Sequence, residues 1–271
     1  MLKDITLGQF FPGNTIVHRL DPRAKLIITL VYITSLFMAK GLLGYTLMLM
    51  VLLICLALSR IKPKAVVRGL RPVFIILLIT VILNLFFIKG ETVLFEYRFI
   101  LITLEGVLTA VFMTARLMML IIGTFLLTYT TSPISLTDGL ERMLSPLKKI
   151  KLPIHELAMM MSIALRFIPT LIDETDKIMS AQKARGADFE TGGLIKRARA
   201  IIPLVVPLFI SAFRRADELA TAMESRCYHG GEGRTRMKVL KAAARDYLAL
   251  LYGAAVMTAV ILLRGVQVWG I

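Results

Sequence analysis

Three stretches of this sequence place reactive side chains at spacings that support chemistry, and each lacks a member. His155-Glu156-Leu157-Ala158-Met159 would be a two-histidine zinc helix if position 159 were histidine. Methionine there removes a ligand, and Glu156 one turn into a helix is more simply an acid matched to the helix dipole. Gly8-Gln9-Phe10-Phe11-Pro12-Gly13-Asn14-Thr15 has the outline of a phosphate loop, but Asn14 stands where the lysine must be. Without that cation the β- and γ-phosphates lose their main charge partner, and no strand precedes the loop. Asp173, Glu174 and Asp176 cluster tightly, yet Lys177 follows and the group reads as a solvated helix face. His18, His155 and His229 are far apart, Cys227 and His229 alone make no metal site, and Cys55 and Cys227 cannot staple a fold. The chain is therefore expected not to be an enzyme and to hold no metal or other cofactor.

Arginine is what repeats. Ala184-Arg185-Gly186 and Ser225-Arg226-Cys227 each close an amphipathic stretch, the first ending on Gly186 and the second followed by Gly230. Arginine at a helix C-terminus complements the dipole for about 0.3–1 kcal/mol, which is the bland reading. The repetition favours another one: a rigid planar fork at an exposed helix end, fitted to carboxylates and carbonyls on a partner.

The elements that carry these arginines are legible. Ser132-Pro133 is a helix start, followed by Leu140, Met143, Leu144 and Leu147 at helical spacing and closed by Lys148, Lys149 and Lys151. Pro153 opens a second helix with an apolar stripe at Leu157, Met161, Ala164, Ile168, Leu171, Thr175, Ile178 and Met179. Pro169 is expected to kink it, and Gly186 to stop it in the left-handed conformation. A third stretch runs from about Pro207 through Phe209, Phe213, Ala216, Ala220 and Met223, with Ala212, Ala216 and Ala220 allowing close approach of another helix. Met143, Met159, Met160, Met161, Met179 and Met223 add an adaptable surface of the kind used with several partners.

These helices sit in an unusual chain. Its 271 residues are 57% hydrophobic and 19% charged, with a mean hydropathy of +0.75. Soluble domains average about 45–50% apolar and about 25% charged, so most of this chain belongs in lipid. Uncharged runs suited to a bilayer core occur at 26–39, 41–59, 72–88, 106–128 (Arg116 excepted) and 247–263. The first is short, and Lys40 is expected to snorkel at a tight turn into the second. The stretch 201–213 is apolar but holds Pro203 and Pro207, and reads as a buried or interfacial segment. No apolar run precedes a small-residue cleavage site, so no cleaved leader is expected.

The chain carries 33 Lys+Arg against 18 Asp+Glu, a net +15. Arg60, Lys62, Lys64, Arg68 and Arg71 lie between the second and third runs without an acid, and Lys3, Arg19, Arg23 and Lys25 precede the first. The alternate connectors are poor: Lys40, then Lys89 and Arg98 against Glu91, Glu96 and Glu105, and finally Arg264. The positive-inside rule then puts the N-terminus in the cytoplasm of a multi-pass plasma-membrane protein and the C-terminus outside. Between Thr130 and Asp246 stand 19 Lys+Arg and 13 Asp+Glu, too many for lipid. The expected fold is an all-α integral membrane protein with about five transmembrane helices and a cytoplasmic α-helical domain built on two long amphipathic helices. Its divisions are 1–130 with four transmembrane helices, 131–245 for the cytoplasmic domain, and 246–271 with the last transmembrane helix.

Taken in order, these residues resemble the T component of energy-coupling factor (ECF) transporters, the EcfT/CbiQ-type family. His18-Arg19-Leu20-Asp21-Pro22-Arg23-Ala24-Lys25-Leu26 matches the family's pattern ahead of the first span. Thr131-Ser132-Pro133 follows a span, Arg166-Phe167-Ile168-Pro169 sits mid-helix, and both arginine motifs precede the last span. The resemblance covers nearly the whole chain. It implies the scaffold and coupling subunit of an ATP-driven importer for vitamins or metal ions. It implies two ABC-type ATPase partners, which carry the ATP and Mg, and one membrane-embedded S component, which binds the substrate. It makes Arg185 and Arg226 the docking residues, flanked by Ala184, Gly186, Ser225 and Cys227. The second motif keeps the arginine but replaces Ala-Arg-Gly by Ser-Arg-Cys.

Rival functions need residues that are missing. A self-contained carrier or channel would need several polar groups around a membrane cavity. Arg116 is deep, with Glu105 at a span edge ~16 Å away along the helix, and Arg116 reads as a bundle anchor that bonds carbonyls or a partner helix. A membrane enzyme would need paired carboxylates at a span end. Nucleic-acid binding would need aromatics among the basic residues, which here gather in short juxtamembrane loops. Those loops instead suit anionic lipid headgroups, at about 1 kcal/mol per residue.

Overall fold

The computed structural model describes residues 10–88, 92–97, 100–146, 153–187, 189, 193–230, 240 and 242–264. Lys3, Gly8, Gln9, Lys89, Glu91, Arg98, Leu147, the Lys148-Lys149-Lys151 stop, residues 231–233 and the tail after Arg264 lie outside the described residues. The helices are α1 (Pro22–Met38), α2 (Gly41–Ser59), α3 (Pro63–Leu70), α4 (Phe74–Phe87), α5 (Leu104–Thr130), α6 (Pro133–Leu144), α7 (Ile154–Ala184), α8 (Leu194–Glu224) and α9 (Ala244–Leu263). A short antiparallel hairpin, β1 (Val93–Tyr97) with β2 (Ile100–Thr103), connects α4 to α5, where composition marks only a charged connector.

Local chemistry sets the boundaries. Asp21 caps α1 by accepting from Arg23 N at 2.9 Å, and Pro22 fills the first helical position, where a missing N–H costs nothing. Ala39 and Lys40 form the expected tight turn, with Ala39 buried, Lys40 exposed and Gly41 at φ +64°. Ser132 Oγ accepts from Ser135 N and starts α6 as expected. The basic connector is itself structured, as α3 and a 3-10 turn at Arg71–Val73.

Contacts divide the described chain into two compact units, residues 10–139 with 240–264, and residues 140–230. In the first, α1 packs on α9 and α5, and α2 and α4 pack on α5. Its core is Leu36, Tyr45, Met48, Leu52, Met119 and Val260. Gly123 lets α1 approach α5 closely, since a Cβ there would lie 2.4 Å from the Tyr32 ring. That ring is fixed by Tyr32 OH donating to Met119 O at 3.1 Å. The outside is inverted relative to a soluble protein: Leu30, Met50, Leu53, Phe74, Ile75, Phe87 and Leu262 are all exposed.

Five stretches among the described residues are long and apolar enough to cross a membrane: Gly41–Ser59, Pro63–Phe87, Leu104–Thr130, Ile154–Ala184 and Ala244–Leu263. This set differs from the expected one at two places. At 17 residues α1 is slightly short, ~25 Å at ~1.5 Å per residue, though it packs on both α9 and α5. By length and composition α7 qualifies, because only Glu156 and Arg166 carry a formal charge before Asp173, where the remaining charges begin.

In the second unit α7 and α8 run antiparallel, each 31 residues long. Met159 meets Tyr228, Phe167 meets Arg215, Glu174 meets Ser211 and Arg215, and Gln182 meets Pro203. This contact face is turned partly away from the apolar stripe, which leaves Leu157 and Met161 exposed. The helix α8 corrects two expectations. It begins at Leu194 and not near Pro207, and it passes unbroken through Pro203 and Pro207. Of the two readings of 201–213, buried or interfacial, the first is removed, with Ile202, Phe209 and Phe213 each more than half open. The physical reason lies in α7. Pro207 has no N–H for the Pro203 carbonyl, and Gln182 Nε2 donates to that carbonyl at 3.4 Å instead. Ala216 and Ala220 are exposed too, since α7 packs beside Ser211 and Arg215.

Candidate functional site

Both arginine motifs end a 31-residue helix, and the ends close with the same hydrogen bonds. At the end of α7, Gly186 has φ +86° and its N–H reaches Lys183 O at 3.0 Å, while Ala187 N–H reaches Gln182 O at 3.0 Å. At the end of α8, Cys227 has φ +55° and its N–H reaches Glu224 O at 2.8 Å, while Tyr228 N–H reaches Met223 O at 3.0 Å. This pair of bonds around a left-handed residue is the Schellman closure. Arg185 and Arg226 each immediately precede the left-handed residue. Replacing glycine by cysteine therefore leaves the helix-end geometry unchanged.

Ala184, Arg185, Gly186, Ser225, Arg226 and Cys227 are all exposed. Neither guanidinium bonds or pairs with another side chain among the described residues. The antiparallel pairing places the two motifs at opposite ends of the α7–α8 pair. A rise of ~1.5 Å per residue separates them by about 35 Å.

A buried polar node was not foreseen from the sequence. Lys25 Nζ donates to Thr130 O at 2.8 Å, Thr131 Oγ1 at 3.2 Å and His18 O at 3.2 Å, which satisfies all three ammonium protons. Asp246 Oδ1 accepts from Asp21 N at 2.8 Å, and its Oδ2 accepts from Ala243 N at 2.7 Å. Arg23 Nη2 donates to Asp21 Oδ2 at 3.0 Å and to Leu240 O at 3.2 Å. One motif at the start of α1 thus holds the end of α5 and the start of α9. The signal in the sequence was Asp21-Pro22 beside Arg23 and Lys25; its partner Asp246 stands 225 positions away.

The other singled-out residues take structural roles. His155 Nδ1 lies 2.9 Å from Glu141 Oε1, and Glu156 sits in the first turn of α7 as expected. No group of three or more His, Cys, Asp or Glu among the described residues could hold a metal ion. Glu174 corrects the solvated-face reading, because Arg215 Nη2 donates to it at 3.1 Å and Ser211 bonds its other oxygen. Among the described residues Arg116 bonds no carbonyl; it sits over the rings of Tyr45 at 5.5 Å and Phe37 at 6.0 Å, so aromatic faces anchor it to α1 and α2. Residues 11–18 form a turn closed by His18, whose Nε2 donates to Phe11 O at 3.0 Å and whose Nδ1 accepts from Thr15 Oγ1 at 2.7 Å. Burial lowers the His18 pKa below its usual value; the Phe11 carbonyl opposes this, and the nearby Lys25 charge adds to it.

The model of the cobalt transport protein family CbiQ matches residues 13–237. The energy-coupling factor transporter transmembrane protein EcfT of Clostridium kluyveri is 56% identical over 252 residues, covering 93% of each chain. That of Ruminiclostridium cellulolyticum is 53% identical over 97% of this chain and 98% of its own. That of Acidaminococcus fermentans is 49% identical over 100% of this chain and 99% of its own.

Proposed function

The chain belongs to the CbiQ family, the transmembrane components of ECF transporters, and from that membership we propose that it couples two ABC-type ATPases to an S component through the ends of α7 and α8. By family it is a transport subunit and not an enzyme. The observation that carries the coupling reading is the pair of exposed arginines on equivalent helix closures at opposite ends of one helix pair. Two such ends about 35 Å apart suit two separate partner subunits better than one. Each unpaired guanidinium offers a planar fork to carboxylates or carbonyls in a partner's groove. ATP and Mg belong to those partners, and this chain needs no cofactor of its own.

The exposed apolar face of α8, through Ile202, Phe209 and Phe213, supports a membrane-embedded neighbour, the S component that binds a vitamin or metal ion. Contact between that face and the S component lets a motion of the helix ends reach the substrate site. The basic residues around α3 favour an orientation with the N-terminus and the α7–α8 pair in the cytoplasm and the C-terminus outside. Arg185→Glu and Arg226→Glu test the reading. Each charge reversal is expected to abolish co-purification with one ATPase and to stop coupled uptake, while the chain stays folded in the membrane. Persistence of both ATPase binding and uptake in the double variant would falsify it.

A further inference from the structure

A cavity of about 400 Å³ lies between the turn at residues 11–18 and the α2–α3 connection. Arg60, Lys62, Lys64 and Arg68 stand on its wall, and among the described residues no carboxylate lines it. None of the four forms an ion pair among the described residues. Four cations gathered on one concave surface repel each other unless an anion joins them. The backbone at Arg60 adopts φ +52°, a left-handed conformation costly for a residue with a side chain. That turn ends α2 and brings Arg60 and Lys62 to the same cavity as Lys64 and Arg68 on α3.

Its place in the fold selects the anion. The cavity opens at the end of α2, a helix long and apolar enough to cross a membrane, which is where lipid headgroups would meet it. Close by in the chain, Val67, Phe74 and Ile75 are 67%, 62% and 66% exposed and begin an apolar surface. A free phosphate has no use for that surface, whereas a phospholipid fills both parts at once. At about 30 Å³ per water molecule the cavity has room for a headgroup of many atoms. We propose that this cavity binds the phosphate headgroup of an anionic phospholipid, with Arg60, Lys62, Lys64 and Arg68 as its cationic contacts. The proposal needs only a membrane-embedded chain, so it stands or falls apart from the coupling reading.

The test uses the full chain in phosphatidylcholine nanodiscs with increasing phosphatidylglycerol, with native mass spectrometry counting the retained anionic lipid. Lys62→Gln/Lys64→Gln/Arg68→Gln is expected to reduce retention at least about tenfold. Ala65→Trp keeps every charge but fills the cavity, and is expected to reduce retention likewise. Arg166→Gln/Lys177→Gln/Arg199→Gln removes the same charge elsewhere and should leave retention unchanged. Equal losses in the two triple variants would mean diffuse attraction and would overturn the site. Full retention in a folded Ala65→Trp chain would also overturn it. Displacement of the lipid by inorganic phosphate or glycerol phosphate at matched concentration would identify a soluble ligand and defeat the lipid assignment. If Ala65→Trp does not fold, the two triple variants, all at exposed positions, still decide the matter.

Discussion

Cys227 holds a left-handed conformation at φ +55°, which costs a residue with a Cβ roughly 1–2 kcal/mol relative to glycine. Cys227→Gly is therefore expected to stabilise the end of α8 by about 1 kcal/mol, read as slower amide exchange at Tyr228, while leaving Arg226 in place. Cys227→Val should loosen the same amides, because a β-branched residue resists that conformation. The Arg226 docking prediction is unaffected by the first variant and weakened by the second. At His18, a lowered folded pKa means that the folded chain binds fewer protons than the unfolded chain below the ordinary value of 6.5. The His18 contribution to stability is then fully present above that value and lost as pH falls through the lowered one. Thermal midpoints measured across this window should fall with acid in the parent chain, and His18→Gln should flatten that slope. Gly186 was legible in advance as a left-handed stop because glycine alone makes that conformation cheap. Cys227 was not, since nothing about cysteine announces it; the hydrogen bonds back to Met223 and Glu224 impose it.

Helix ends written in local residues were readable in the sequence: Asp21-Pro22, Ser132-Pro133, the Ala39-Lys40 turn and the close of α7. The course of α8 was not, because two prolines argue locally for a break and only a neighbour on α7, 21 positions before Pro203, overrules them. Gln182 supplies the donor that Pro207 lacks, at 3.4 Å from the Pro203 carbonyl. Gln182→Ala should then cost about 0.5–1.5 kcal/mol. In a Pro207→Ala background, where a backbone N–H returns, the same substitution should cost less. A double-mutant cycle on thermal unfolding measures the difference, and additive costs would disprove the repair. The contact face of α7 was similarly out of reach: apolar periodicity marks Leu157 and Met161, yet Glu174 and Gln182 meet α8 through polar bonds that periodicity does not count.

At the scale of the molecule, composition was enough to place the chain in a membrane, and the exposed apolar side chains of α2, α4 and α9 agree. Composition could not anticipate which distant positions meet. A Cβ on Gly139 would lie 3.0 Å from Pro22 Cβ and 3.4 Å from Arg23 N, and Arg23 also holds Leu240 O at 3.2 Å. Residues 139 and 240, which bound the second unit, therefore stand together beside Arg23, as at a doorway. A protein built this way is a bundle with a guest, and a guest can be asked to leave. Excising residues 140–239 and bridging the doorway with a few glycines and serines should leave a detergent-soluble bundle with its Tyr32–Met119 bond and helical circular dichroism intact. Loss of the helical signal would show that the host depends on its guest. Survival would make the doorway a natural suture, at which one bundle could exchange residues 140–239 for the matching segment of a relative.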